Sequence, residues 1–386
     1  MNNFQFYNPV HIEFGKGQIS KLSKLVPANA KILMTYGGGS IKRNGVYDQV
    51  KEALSGHTLI EFSGIEPNPK YETLMKAVEI IRNEKIDFLL AVGGGSVIDG
   101  TKFISAAVNY EGDPWQILAH RDVSGIKDPL PIGAVLTLPA TGSEMNGNSV
   151  VTKAETKEKL AFGTPAVMPK FSILDPEVIY SLPKKQISNG IIDAFIHVLE
   201  QYLTYPVNSP IQDRFAESIL ATLVEEGPKV YAEPTNYDAA ANFMWAATMA
   251  LNGLIGVGVP QDWSTHMIGH ELTAFHGIDH GRTLAIVLPG VMRVKQENKR
   301  EKLLQYGERI WNITEGTFEE RLELIIAKTE AFFHSLETPT RLSDYEVPAS
   351  TIDKICDRFE QRRITAFGEQ GDTDIQQLRM ILEDRL

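Results

Sequence analysis

The 386-residue chain contains a single cysteine, Cys356, so it forms no internal disulfide and does not read as a small secreted domain stapled by such bonds. A reducing compartment, the cytoplasm, is the expected location. The chain has no run of five or six lysines or arginines, and its formal net charge is −11. No positive field is available to collect phosphate backbones, so nucleic acid is not an expected partner. No window approaches ~20 uninterrupted apolar residues, and residues 1–5 lack the basic-then-apolar pattern of a secretory leader. Neither a membrane span nor a signal segment is read. Also missing is the fingerprint of three spaced glycines that marks the common dinucleotide fold, so any nucleotide site here is of another kind.

What is present is enough for a large core: 43% of residues are hydrophobic and 23% charged, over a length that exceeds one typical domain. In the first half, apolar runs end in glycine-rich punctuation. Residues 31–36 lead into Gly37-Gly38-Gly39-Ser40, residues 87–92 into Gly93-Gly94-Gly95-Ser96, and residues 132–138 into Pro139-Ala140-Thr141-Gly142-Ser143. Strands followed by glycine loops and amphipathic stretches predict a parallel, doubly wound sheet. Residues 171–176 form the last plausible strand. From about Ser181 long helical patterns take over, at 190–203, 211–223 and 237–255. The expected organisation is an α/β dinucleotide-binding domain over 1–180 and an all-α metal-binding and catalytic domain over 181–386.

A glycine-rich strand-to-helix turn lets backbone N–H groups approach a phosphate, and the helix start adds partial positive charge. Gly93 to Ser96 has that context. No acid follows the strand at 31–36 to accept ribose hydroxyls, and Gly37 to Ser40 leads instead into Ile41, Lys42 and Arg43. A hydroxyl, backbone amides and two cations suit an extra phosphate, which favours NADP(H) over NAD(H). Thr137, Thr141 and Ser143 supply small hydroxyl groups after the third strand, suited to a nicotinamide end. Asn146 and Lys159 fall in an expected β-hairpin.

Asp193 and His197 are four apart in a helical stretch and so share a face. His266 and His270 have the same spacing. Four of the nine histidines lie between His266 and His280, where Gly277 and Gly281 interrupt the helical pattern and let the chain double back. One carboxylate with several imidazoles suits a divalent transition metal such as zinc or iron. Spacing alone does not select among His266, His270, His276 and His280.

Several segments together resemble the iron-containing (group III) alcohol dehydrogenases, most nearly their NADPH-dependent aldehyde reductase and butanol dehydrogenase members. They are Phe14-Gly15-Lys16-Gly17, Tyr36 through Ser40, Gly64-Ile65-Glu66-Pro67-Asn68-Pro69, Gly93 through Asp99, Thr137 through Glu144, Asp193 through Glu200 and His266 through Gly281. The resemblance spans nearly the whole chain. It implies the two-part architecture shared with dehydroquinate synthase-like proteins, a homodimer, and metal ligands at Asp193, His197, His266 and His280. It implies that His270 lies close to the nicotinamide and relays protons, and leaves His276 outside the ligand set. For the dinucleotide it implies Gly94, Gly95, Ser96 and Asp99 at the pyrophosphate, Gly38, Ser40 and Asn68 near the adenosine, and Thr137, Asn146 and Lys159 towards the nicotinamide.

The expected reaction is hydride transfer between NADP(H) and a small aldehyde or primary alcohol, with the ion polarising the carbonyl. NADH-preferring butanol dehydrogenase activity is one alternative. A dehydroquinate synthase-like lyase is another, but its polyanionic substrate calls for several cations near the metal, and those segments offer only Arg282.

Overall fold

The run Phe88-Leu89-Leu90-Ala91-Val92-Gly93 is buried along its whole length, the pattern of a strand covered on both faces. It is the fourth strand of a sheet built from β1 (His11–Phe14), β2 (Lys31–Thr35), β3 (Thr58–Phe62), β4 (Phe88–Gly93), β5 (Ile132–Leu136) and β8 (Phe171–Leu174), with β6 (Asn148–Lys153) and β7 (Glu158–Gly163) forming a separate antiparallel hairpin. The order across the sheet is β1-β8-β5-β4-β2-β3, and every pair is parallel. Ala91 pairs with Thr35 on one side and Ala134 on the other. Gly133 belongs here because the Phe171 ring comes within 2.3 Å of where a Cβ would stand, and Phe171 stacks on Phe88 with centroids 6.1 Å apart.

From β2 the chain moves outward to β3, whereas from β4 it moves the other way to β5. The winding therefore reverses between β2 and β4. Loops beyond the carboxyl ends of strands at such a reversal flank the crevice where open parallel sheets take ligands. Gly37 to Ser40 follows β2, and the helix Gly95–Ala107 follows β4.

The computed structural model describes residues 1–386 and separates into two compact units. The sheet unit is Tyr7–Pro183 together with Pro234–Thr248. The second segment belongs to it because Trp245 packs edge-on against Phe14, centroids 5.8 Å apart, and Thr248 bonds the buried Glu144. The helix there, Tyr237–Ala250, stops short of the 255 expected from periodicity; turns follow, in which Gly253 and Gly258 adopt positive φ, 93° and 71°.

The other unit, Met1–Phe6, Lys184–Glu233 and Met249–Leu386, is helical. Ile268 and Leu272 of the Ser264–His276 helix and Ile286, Val287 and Val291 of the His280–Val294 helix join one apolar cluster with Ile355, Phe359 and Ile381. Gly277 closes the first of these helices in the left-handed conformation, φ 68°, as the sequence suggests. Gly281 does not interrupt a helix. It sits inside the second one, and its role is contact: a Cβ there would fall 2.5 Å from the Asn189 carbonyl oxygen. No helix is long and apolar enough to cross a membrane.

Candidate metal centre and nucleotide loops

The helix Lys184–Tyr202 carries Asp193 and His197 on one face, and both are buried. Around one oxygen of Asp193, Oδ1, three imidazole Nε2 atoms gather: His197 at 3.6 Å, His266 at 3.7 Å and His280 at 3.7 Å. Two ligands each about 2.1 Å from one ion at a tetrahedral angle stand roughly 3.4 Å apart, so this spacing fits a shared cation. Ligand atoms of Asp193, His266 and His280 all lie within 4.8 Å of one another. The His197 ring stacks on His266, centroids 4.7 Å apart at 18°. His266 Nε2 is buried and has no hydrogen-bond partner, so it is an atom that a bound ion would satisfy. The donor set, three imidazoles and a carboxylate, suits zinc or iron(II).

Local structure aims His266 and positions the chain before His280. Glu200, seven residues after Asp193 and so on the same face, accepts hydrogen bonds from His266 Nδ1 and from the backbone N–H groups of Thr265 (2.6 Å) and His266 (3.4 Å). With the Nδ1 proton committed, Nε2 presents its lone pair inward. Burial alone would disfavour the imidazolium, but the Glu200 and Asp193 carboxylates outweigh it and raise His266 to about 9. The cluster therefore draws positive charge. Asp279, the residue before His280, is tied to the Asp193 helix by Asn189 (3.0 Å) and Lys185 (2.8 Å).

His270 and His276 diverge. The half-buried His270 ring lies 4.9 Å from that of His280 and 6.3 Å from that of His266. His276 instead bonds Thr351 Oγ1 at 2.9 Å.

In the sheet unit the β4 loop is closely packed. A Cβ on Gly95 would stand 2.4 Å from Thr141 Oγ1, and one on Gly94 3.0 Å from Leu138 Cβ. Gly94 caps the Gly95–Ala107 helix in an extended conformation, leaving the first N–H groups at the crevice. Ser96 Oγ accepts the Asn68 N–H at 3.3 Å, and Asn68 takes φ 56°. Thr137 N–H bonds Gly93 O at 3.0 Å. Asp99 is engaged by protein on both oxygens, receiving Ser143 Oγ–H (2.5 Å) and Val150 N–H (3.0 Å). Lys159 lies on β7, half-buried, and its charge bears on Asp99. After β2, Gly38 and Ser40 are exposed, and Gly39 takes φ 87°.

Sequence reasoning missed two groups. Glu200 could have been found from its i+7 relation to Asp193. Lys102, three after Asp99, is fully buried and donates to Ser143 Oγ (2.8 Å), Asn146 Oδ1 (3.1 Å) and Asn148 O (2.9 Å). Burial lowers its pKa to about 8 against the pull of Asp99 and Glu144. It ties the Ser143–Asn148 segment to the helix that follows β4.

Comparison with known proteins bears on both parts. The family model for iron-containing alcohol dehydrogenase matches residues 9–176, and that for the C-terminal part of the Fe-containing alcohol dehydrogenase family matches residues 187–380. The chain is 56% identical to the NADPH-dependent aldehyde reductase YqhD of Escherichia coli (strain K12), covering 99% of each. It is 44% identical to the probable NADH-dependent butanol dehydrogenase 1 of Bacillus subtilis (strain 168), covering 93% of each. Among solved structures, that of E. coli YqhD superposes with a TM-score of 0.98 at 55% identity, over 100% of this chain and 99% of that one. NADH-dependent butanol dehydrogenase A of Thermotoga maritima superposes with 0.95 at 37% identity, over 100% and 99%.

Proposed function

The chain belongs to the iron-containing alcohol dehydrogenase family, and on that premise we propose that it transfers hydride between NADP(H) and small aldehydes or primary alcohols, using a divalent iron or zinc ion held by Asp193, His197, His266 and His280. The observation that carries this reading is the convergence of three imidazole Nε2 atoms, 3.6 to 3.7 Å away, on one carboxylate oxygen. When bound, the ion supplies Lewis-acid polarisation of a carbonyl and the nicotinamide supplies the hydride.

The chain's own residues do the rest. Asp193 provides the compensating negative charge, and Glu200 keeps the His266 proton on Nδ1 so that Nε2 can ligate. His270 gives a proton to the alcohol oxygen on reduction and takes it back on oxidation. Gly94, Gly95 and Ser96 offer helix-start N–H groups to the diphosphate, with Asp99 holding the neighbouring loop through Ser143. Gly38, Ser40 and Asn68 take the adenosine end, and Thr137, Thr141, Asn146 and Lys159 the nicotinamide end. The cytoplasm, a reducing compartment, suits the one buried, unbridged cysteine. A homodimer is part of this reading, and the open sheet leaves two edges, β1 and β3, each paired on one side only.

A second reading, NADH-dependent butanol dehydrogenase, is favoured by the 44% identity to the probable NADH-dependent butanol dehydrogenase 1 of Bacillus subtilis. NADPH and NADH oxidation with a series of linear aldehydes, on protein of measured metal content, separates the two. Turnover should track metal occupancy and be faster with NADPH. Full turnover by metal-free protein would sink the metal-dependent reading, and a clear NADH preference would put the second reading in place of the first.

A further inference from the structure

The carboxyl ends of β2 and β3 hold a cluster around Lys42, one of the two cations that the sequence sets beside an extra phosphate. Lys42 lies in the helical turn Ser40–Arg43, directly after the glycines that follow β2. Its ammonium stands 4.8 Å from the centre of the Tyr47 ring and 5.3 Å from that of Tyr36. Glu61, near the end of β3, receives the two tyrosine hydroxyls, one on each carboxylate oxygen, at 2.6 Å from Tyr47 and 2.9 Å from Tyr36. Lys42 Nζ lies 3.8 Å from the same carboxylate and Lys51 Nζ 3.5 Å from it.

We propose that Lys42, seated against Tyr36 and Tyr47 and tethered by Glu61, reads the 2′-phosphate of the dinucleotide and thereby sets the preference for the phosphorylated cofactor. The inference rests on the reading that the adenosine end lies at Gly38 and Ser40. Three observations lead to it. First, the cluster stands next to the winding reversal, on the β2–β3 side of the crevice, beyond the helix start where a diphosphate would sit. Second, the acid at the end of β3 is already engaged on both oxygens. An acid that selects an unphosphorylated ribose must have oxygens to offer its hydroxyls, and both oxygens of Glu61 accept from tyrosines. Third, within the cluster itself one carboxylate, Glu61, faces two ammonium groups, Lys42 and Lys51, and Arg43 is exposed on the same helical turn as Lys42, an arrangement attractive to a dianionic group.

The aromatic seat matters because lysine is otherwise a flexible point charge. Two ring faces attract the ammonium, while 49% side-chain exposure leaves the side chain reachable from solvent. Ordering the side chain before the ligand arrives removes part of the entropic cost of binding. Burial would push the Glu61 carboxyl up, but the Tyr47 and Tyr36 hydroxyls and the two lysines bring it below its ordinary value, so the tether stays charged.

The experiment is calorimetric titration of the full-length protein with 2′,5′-ADP and with 5′-ADP. Wild type should favour 2′,5′-ADP, and Lys42→Ala should shrink the ratio of the two affinities on the order of tenfold. Glu61→Gln removes the opposing charge and should widen that ratio. A wild-type preference that survives intact in both Lys42→Ala and Lys42→Gln would overturn the role of Lys42 and leave the NADP reading standing. A narrowed ratio in Glu61→Gln also counts against it. No preference in the wild type would instead overturn the NADP reading itself, and this inference with it.

Discussion

The Glu200 carboxylate holds His266 at both ring and backbone, one oxygen meeting Nδ1 and the other the N–H groups of Thr265 and His266. These residues stand 66 positions apart in the chain. The contact joins a helix face to a separate helix start, and fixes which nitrogen of His266 is available to a cation.

Glu200→Ala should therefore weaken metal binding without removing a ligand. The expected loss is about 10–100-fold in affinity, read by competition with a chelating dye. Glu200→Gln, which can still accept one backbone N–H, should fall between the variant and wild type. Wild-type affinity in Glu200→Ala would show that His266 needs no such partner.

His280→Ala removes one of the converging nitrogens and should abolish both bound metal and turnover. His276→Ala should keep full metal stoichiometry, because that ring bonds Thr351, and should cost about 1 kcal/mol or less in stability. Metal analysis of the two purified variants decides the matter. Loss of metal from His276→Ala would mean that the fourth histidine belongs to the site after all.

Lys299 is buried between Asp262 and Glu369, 2.7 and 2.8 Å from their carboxylates, and also donates to Leu203 O at 2.6 Å. Asp262 in turn accepts the Ser264 N–H at 3.2 Å, just where the Ser264–His276 helix begins. Lys299→Met strands two desolvated carboxylates and should destabilise the folded chain by about 3–5 kcal/mol in urea unfolding. The double change with Glu369→Gln should recover part of that loss. An unaltered unfolding midpoint in the single variant would rule the cluster out as a structural element.

Burial lowers the Lys102 pKa to about 8 from an ordinary 10.5. Between those values the unfolded chain binds more protons than the folded one, so this group's contribution becomes more favourable as pH rises. Below pH 8 both states are protonated and the contribution is flat. The stability of wild type relative to Lys102→Met should therefore grow as pH rises from about 8 towards 10.5. Urea unfolding of both proteins across that range tests it, and a difference that stays constant with pH would refute the lowered pKa.

Much of the fold was legible in the chain itself. Apolar runs ending in glycine loops identified a parallel sheet, since β4 is buried on both faces and shows no alternation to hide its character. Helical periodicity was readable for the second half, but it overran at 237–255, because an apolar pattern persists through turns where the backbone reverses. Membership of Pro234–Thr248 in the sheet unit was not legible, since it depends on contacts such as Trp245 with Phe14 that join distant parts of the chain.

For the candidate site the division is sharper. Local spacing by itself determined that Asp193 and His197 share a face, because residues four apart on a helix must. The same rule was open to Glu200, one further turn along. The choice among His266, His270, His276 and His280 belonged to tertiary structure. After Gly277 the chain turns and Asp279 is anchored to the Asp193 helix, which brings His280 back to the carboxylate, while His276 faces away to Thr351. Periodicity says which side of one helix a residue occupies; it carries no information about where a second helix is placed against it, and a metal site needs both.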